Sequence, residues 1–138
     1  MKKCVLTTKA EIDKTLSQKS VLGKHQLEPL KSLFLGGKIP FGIIEDYKIS
    51  DTEAEVHKHE GDLWFCLEGE VEFIYGGELV EPWVREGSDG NELGGKGIKD
   101  GTKIILKKGD WLWIPHGQPH MHWAPKKARM AIIKIPKA

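Results

Sequence analysis

The chain has 138 residues, 39% hydrophobic and 30% charged, enough for one domain with a proper core and no need of disulfides. Its 21 basic and 20 acidic side chains are well mixed, for a formal charge of +1. No basic stripe or aromatic RNA-binding motif is present, which argues against nucleic acid as a partner.

The opening Met1-Lys2-Lys3-Cys4-Val5-Leu6 gives way at once to Thr7, Thr8 and Lys9. A secretory leader needs an apolar stretch of roughly 7–15 residues, so this is not one. No apolar run is long enough to span a membrane. Cys4 and Cys66 are isolated and form no CxxC motif. A reducing cytoplasm is the expected setting.

Residues 10–22 have mild helical character, with Ile12 and Leu16 on one face and Glu11 and Asp13 early. A second short apolar set, Leu27, Leu30, Leu33 and Phe34, follows Gly23 and stops at Gly36-Gly37. Residues 1–40 are therefore expected to be an extension of short helix and irregular strand, packed on the outside of the domain.

From Phe41 the period changes to two: Phe41, Ile43, Glu45, Tyr47 and Ile49 alternate with smaller or polar residues. Further strands are expected at Glu53–His59, Leu63–Leu67, Val71–Tyr75, Lys103–Leu106, Trp111–Ile114, Pro119–Trp123 and Met130–Ile135. Glu60-Gly61-Asp62, Glu68-Gly69-Glu70, Gly76-Gly77, Lys108-Gly109-Asp110 and Pro115-His116-Gly117 read as turns. Many short strands with Gly/Pro turns predict an all-β sandwich or barrel over residues 41–138. Residues 76–102 break the rhythm and are expected to be a long loop, with a flap over a pocket and an inert surface excursion as the two readings.

Five of the six histidines fall in two clusters: His57 and His59, then His116, His120 and His122. Imidazole is the commonest metal-binding side chain. Two histidines at i and i+2 on a strand face the same way, so a pair from one strand and a third from a distant strand can converge on one ion.

Around these clusters the chain resembles the cupin superfamily. The first motif reads His57-Lys58-His59-Glu60-Gly61-Asp62-Leu63-Trp64-Phe65-Cys66-Leu67-Glu68-Gly69, and the second Gly109-Asp110-Trp111-Leu112-Trp113-Ile114-Pro115-His116-Gly117-Gln118-Pro119-His120. The resemblance covers roughly residues 41–135. It implies a double-stranded β-helix, or jelly roll, with a metal in the barrel mouth held by His57, His59 and His120, and with Asp62 where the family has Glu. Two features depart from the pattern. The step from His59 to the carboxylate is one residue shorter than usual, so Asp62 either ligates directly or orients a histidine. Ala124 also stands at the usual Asn position.

His122 shares a strand face with His120 and is a candidate general acid/base; packing against Trp123 or a partner subunit is the alternative. Glu55 shares parity with His57 and is a second candidate for moving protons, a cross-strand ion pair being its alternative. His116 is expected to be exposed. Trp64 and Cys66 are expected inside the barrel, and Trp111 and Trp113 in the core of one sheet.

Imidazole and carboxylate donors suit one divalent transition metal, Fe above all, with Mn, Ni, Zn or Cu as alternatives. The resulting expectation is a metal-dependent enzyme, foremost an Fe(II)-type dioxygenase, acting on a small oxygen-rich molecule. A lyase or isomerase, and a module that binds without turnover, are the competing readings. A homodimer is implied by family analogy.

Overall fold

The computed structural model describes residues 3–50 and 52–138; Met1, Lys2 and Asp51 lie outside the described residues, and with them the first two positions of the leader reading. The chain runs α1 (Lys9–Leu16), β1 (Gly23–Gln26), α2 (Leu30–Leu35), β2 (Phe41–Tyr47) and β3 (Ala54–His57). A long β4 (Glu60–Tyr75) follows, then β5 (Glu78–Val80), β6 (Trp83–Val84), β7 (Glu92–Gly95) and β8 (Gly97–Lys99). The last strands are β9 (Thr102–Lys107), β10 (Trp111–Ile114), β11 (His120–Trp123) and β12 (Lys127–Pro136).

Among the described residues all pairings are antiparallel, and all but the separate β5–β8 ribbon build two leaves. One leaf is β1-β2-β12 with the first half of β4 and then β10; the other is β9 with the second half of β4, then β11-β3-β7-β6. The all-β sandwich expected from the period-two pattern is present, in the jelly-roll form that the resemblance implies. β4 belongs to both leaves, so Glu68-Gly69-Glu70 is a bend inside one strand rather than a turn between two. Inward residues are even-numbered before it (Asp62, Trp64, Cys66) and odd-numbered after it (Val71, Phe73). That phase change accompanies a register shift opposite Arg129/Met130, as a bulge requires. Gly69 makes the bend: its φ is +72°, and a Cβ there would lie 2.0 Å from the carbonyl oxygen of Lys127.

The main core lies between the leaves and includes Trp64, Cys66, Phe73, Leu106, Met130 and Ile132. Trp64 and Cys66 are inside, as expected. Trp111 and Trp113 are not: they are 59% and 48% exposed, while Leu112 and Ile114 turn inward. A strand apolar at every position does not say which parity faces the core. The outward tryptophans pack locally instead, Trp111 at 4.3 Å from the Phe65 ring and Trp113 over Gly61.

A second cluster (Leu27, Leu30, Ile39, Ile43) is covered by the N-terminal helices. Thr8 caps α1 by accepting from the Glu11 N–H. The helix ends at Leu16, short of the expected residue 22, because the buried Arg129 guanidinium takes the carbonyls of Leu16 and Gln18. Arg129 also donates to Glu45 at 2.7 Å. The first forty residues thus contribute a strand, β1, paired with β2, besides the two helices.

Residues 76–102 are also more ordered than a loop. β5 pairs β8, β6 pairs β7, and β7 joins the second leaf beside β3. The glycines that hide this pattern from the sequence allow close contact: a Cβ on Gly94 would meet the Trp83 ring at 2.6 Å. No helix among the described residues is long and apolar enough to cross a membrane.

Candidate metal centre

β3 presents Glu55 and His57 on one face, two residues apart. β11 lies beside it with His120 opposite Glu55. Asp62 enters from the other leaf, near the start of β4. Four donor atoms meet there. Nε2 of His57 lies 3.4 Å from Oδ2 of Asp62 and 3.5 Å from Oε1 of Glu55. Nε2 of His120 lies 3.2 Å and 3.4 Å from the same two oxygens. Donors held at about 2.0–2.2 Å from one ion stand roughly 2.8–3.6 Å apart at octahedral or tetrahedral angles, so this spacing fits a divalent transition metal.

The ring orientations agree. Nδ1 of His120 is 3.1 Å from the Gln118 carbonyl, which can only accept, so Nδ1 carries the proton and Nε2 keeps its lone pair for the centre. Nδ1 of His57 faces Oε1 of Glu92 at 3.1 Å, close enough for an ion pair but without hydrogen-bond geometry. Asp62, His57 and His120 are buried, and neither Oδ2 of Asp62 nor Nε2 of His120 has a hydrogen-bond partner among the described residues. Unpaired buried polar atoms are costly, and a cation among them removes the cost.

The electrostatics point the same way. Burial opposes charge on His57, but the facing carboxylates of Asp62 and Glu55 outweigh it and raise the imidazole to about 10. His120 is raised by the same two carboxylates, again against burial. Burial pushes the Asp62 and Glu55 carboxyls up, yet the two imidazoles hold both well below the usual carboxylate range. Two anions sharing one buried spot draw positive charge to it.

The sequence-derived set needs one correction. His57, Asp62 and His120 come together, but His59 does not join them: it is exposed and lies past the end of β3. Asn91 turns the chain there. Its carbonyl accepts from the Lys58 N–H and its side-chain oxygen from the His59 N–H, so the i, i+2 parity is lost. Glu55 takes the place on the other side of His57. The signal was in the spacing: His59 to Asp62 is one residue short, whereas His57 to Asp62 leaves four between.

His122 lies at the wall of the adjoining cavity, buried, with Nδ1 2.6 Å from Oδ2 of Asp46. Burial, with Lys24 second, lowers its pKa despite Asp46, so the ring is neutral near pH 7. Its packing partners are Trp64 and Phe73, not Trp123. His116 is exposed, as expected. Sequence reasoning missed Glu92 and Lys134, whose ammonium donates to Oδ1 of Asp62 at 2.6 Å and stands 3.1 Å from Nε2 of His57. No motif marks either residue.

A double-leaf antiparallel barrel with a titratable cluster between its leaves defines the class of protein. Scans of the sequence against protein families and against curated proteins find no match. Solved structures do match. A crystal structure of Drosophila melanogaster CENP-C superposes with a TM-score of 0.51 at 12% identity, covering 94% of this chain and 84% of that one. The cupin domain of the same protein gives 0.50 at 14%, covering 71% and 58%. Hydroquinone 1,2-dioxygenase from Sphingomonas, with 4-hydroxybenzoate bound, gives 0.44 at 16% over 72% and 61%, too slight a likeness to bear on function. This chain spans less than two thirds of the last two structures. The likeness to the first two structures shows the fold, that of a cupin domain.

Proposed function

We propose that this chain is a metal-dependent enzyme that holds one divalent transition metal with Glu55, His57, Asp62 and His120 and acts on a small oxygen-rich molecule. The observation that carries this reading is the convergence of four donor atoms, at 3.2–3.5 Å along four of their separations, with two of them buried and unpartnered. Two imidazoles and two carboxylates favour Fe(II) or Mn(II) over the metals that prefer thiolate. The finer form of the reading is an Fe(II)-type oxygenase. Such an ion, when bound, supplies a site for dioxygen or polarises a substrate oxygen.

The chain's own residues supply the rest. Gln118 fixes the His120 ring, Glu92 faces that of His57, and Trp64 and Ile132 give the cavity beside the centre an apolar wall. A lyase or isomerase is the second reading, favoured by the His122–Asp46 pair: a neutral imidazole in the cavity wall, fixed through Nδ1, leaves Nε2 to take a proton from a ligand and return it. Elemental analysis of protein purified without added metal tests the centre, with about one ion per chain expected. Oxygen uptake against anaerobic turnover on diketones, catechols and sugar acids separates the two chemistries. Tight binding with neither would make the protein a binding module and overturn the enzyme reading.

A further inference from the structure

The cavity beside the centre has a volume of about 670 Å³, the size of a small-molecule site. Three cations line it: Lys24, Arg85 and Lys134. Arg85 faces Glu53 and Glu55, each at 3.8 Å and so beyond hydrogen-bond reach, and its buried Nε has no partner among the described residues. Lys24 donates to the His122 carbonyl at 2.9 Å. The lining acids have partners too, since Glu92 faces His57 Nδ1 and Glu55 belongs to the donor set.

Lys134 is the one of the three within hydrogen-bond reach of the donor set itself. It reaches across from β12, its side chain 19% exposed, and its two near contacts are Asp62 Oδ1 and His57 Nε2. Glu60 at 3.9 Å is beyond hydrogen-bond reach. An ammonium has three N–H donors and no acceptor capacity. His57 Nε2 is one of the four candidate metal donors, so with an ion there Asp62 Oδ1 would be the near acceptor left to Lys134. An ion held by this donor set would add positive charge beside the ammonium, near the Asp62 carboxylate that both would contact. The ammonium has spare N–H groups at the edge of a half-apolar cavity. Asp62 Oδ1 still accepts one N–H at 2.6 Å, and a ligand oxyanion reaching the cavity edge would take another in a charge-assisted hydrogen bond.

We propose that Lys134 is a ligand-contact residue, and that the cavity takes a small organic acid whose carboxylate is shared between the metal and the Lys134 ammonium. This rests on the metal reading above. The acid's carbon skeleton lies against Trp64, Ile44, Met121 and Ile132, which line the same cavity.

The test uses the full chain loaded with Co(II), whose visible spectrum reports its ligands. Glycolate and its uncharged counterpart glycolamide are titrated into wild type, Lys134→Met and Lys134→Arg. Glycolate is expected to shift the spectrum at concentrations roughly 10–100-fold below glycolamide. Lys134→Met is expected to weaken glycolate by about tenfold or more while leaving glycolamide unchanged, with partial recovery in Lys134→Arg. Equal binding of the two compounds by wild type, which needs no variant to fold, would overturn the inference alone. So would unaltered glycolate binding by Lys134→Met. Failure of wild type to take up one cobalt per chain would overturn the metal reading, and this inference with it.

Discussion

Oε1 of Glu92 lies 3.1 Å from Nδ1 of His57, which links the β6–β7 hairpin to the metal centre through one imidazole. A carboxylate behind a ligating histidine fixes its tautomer and raises its basicity. Glu92→Ala is expected to weaken metal binding by about 10–100-fold, measured by competition with a chromophoric chelator. Affinity equal to wild type would show that the ring needs no such support.

The donor set predicts a sharp division among the histidines. His57→Ala, His120→Ala and Asp62→Asn should each abolish stoichiometric metal uptake, read by elemental analysis after dialysis. His59→Ala should retain it, since that side chain is exposed beyond the end of β3. Loss of metal in His59→Ala would return that residue to the centre.

Arg129 and Glu45 form a fully buried pair at 2.7 Å that ties the α1 terminus to the barrel. Arg129→Met strands the Glu45 carboxylate and should cost about 3–5 kcal/mol in urea denaturation. Burial pushes the Glu45 carboxyl up, but the Val21 N–H, Arg129 and Ser20 outweigh it and lower its pKa. A lowered folded-state value means that its stabilisation is fully present above the ordinary carboxyl range near 4.5 and is lost as pH falls through the folded value. Glu45→Gln should flatten that acid limb of the stability curve.

Gly69→Ala should cost about 3 kcal/mol or more, because a left-handed backbone and a contact with the Lys127 carbonyl act together. Thermal melts would report it. A change below about 0.5 kcal/mol would mean that the bend relaxes without effort.

The two thiols should react in sequence. Cys66 is buried, and burial, with Asp110 second, pushes it up to about 11, so its thiol is protonated at pH 8. Cys4 is exposed. Iodoacetamide under native conditions should label Cys4 alone, and both residues in urea. Because the raised value penalises the thiolate, stability should also decline as pH climbs from the ordinary thiol range near 9 toward 11.

Much of the architecture was legible because strand periodicity is local: Trp111–Ile114 matches the expected span, and Pro119–Trp123 and Met130–Ile135 fall within a few residues of β11 and β12. What misled was context. The β3 periodicity ends where Asn91, thirty-odd positions away, intervenes, so His59 was assigned the face that Glu55 and His57 share. β5 to β8 are too short and glycine-rich for a pattern to form before tertiary pairing imposes one. Lys134 looked like any surface cation, because only the fold brings β12 across to Asp62.

The single strand shared by both leaves has a mechanical consequence. With Asp62 on one side of Gly69 and the rungs to β9 and β11 on the other, the sandwich has no seam along which it can be prised apart without snapping a ladder. The cavity draws its lining from both leaves, Glu55 and His122 from one and Trp64 and Ile132 from the other, so its two walls are tied together by that one strand.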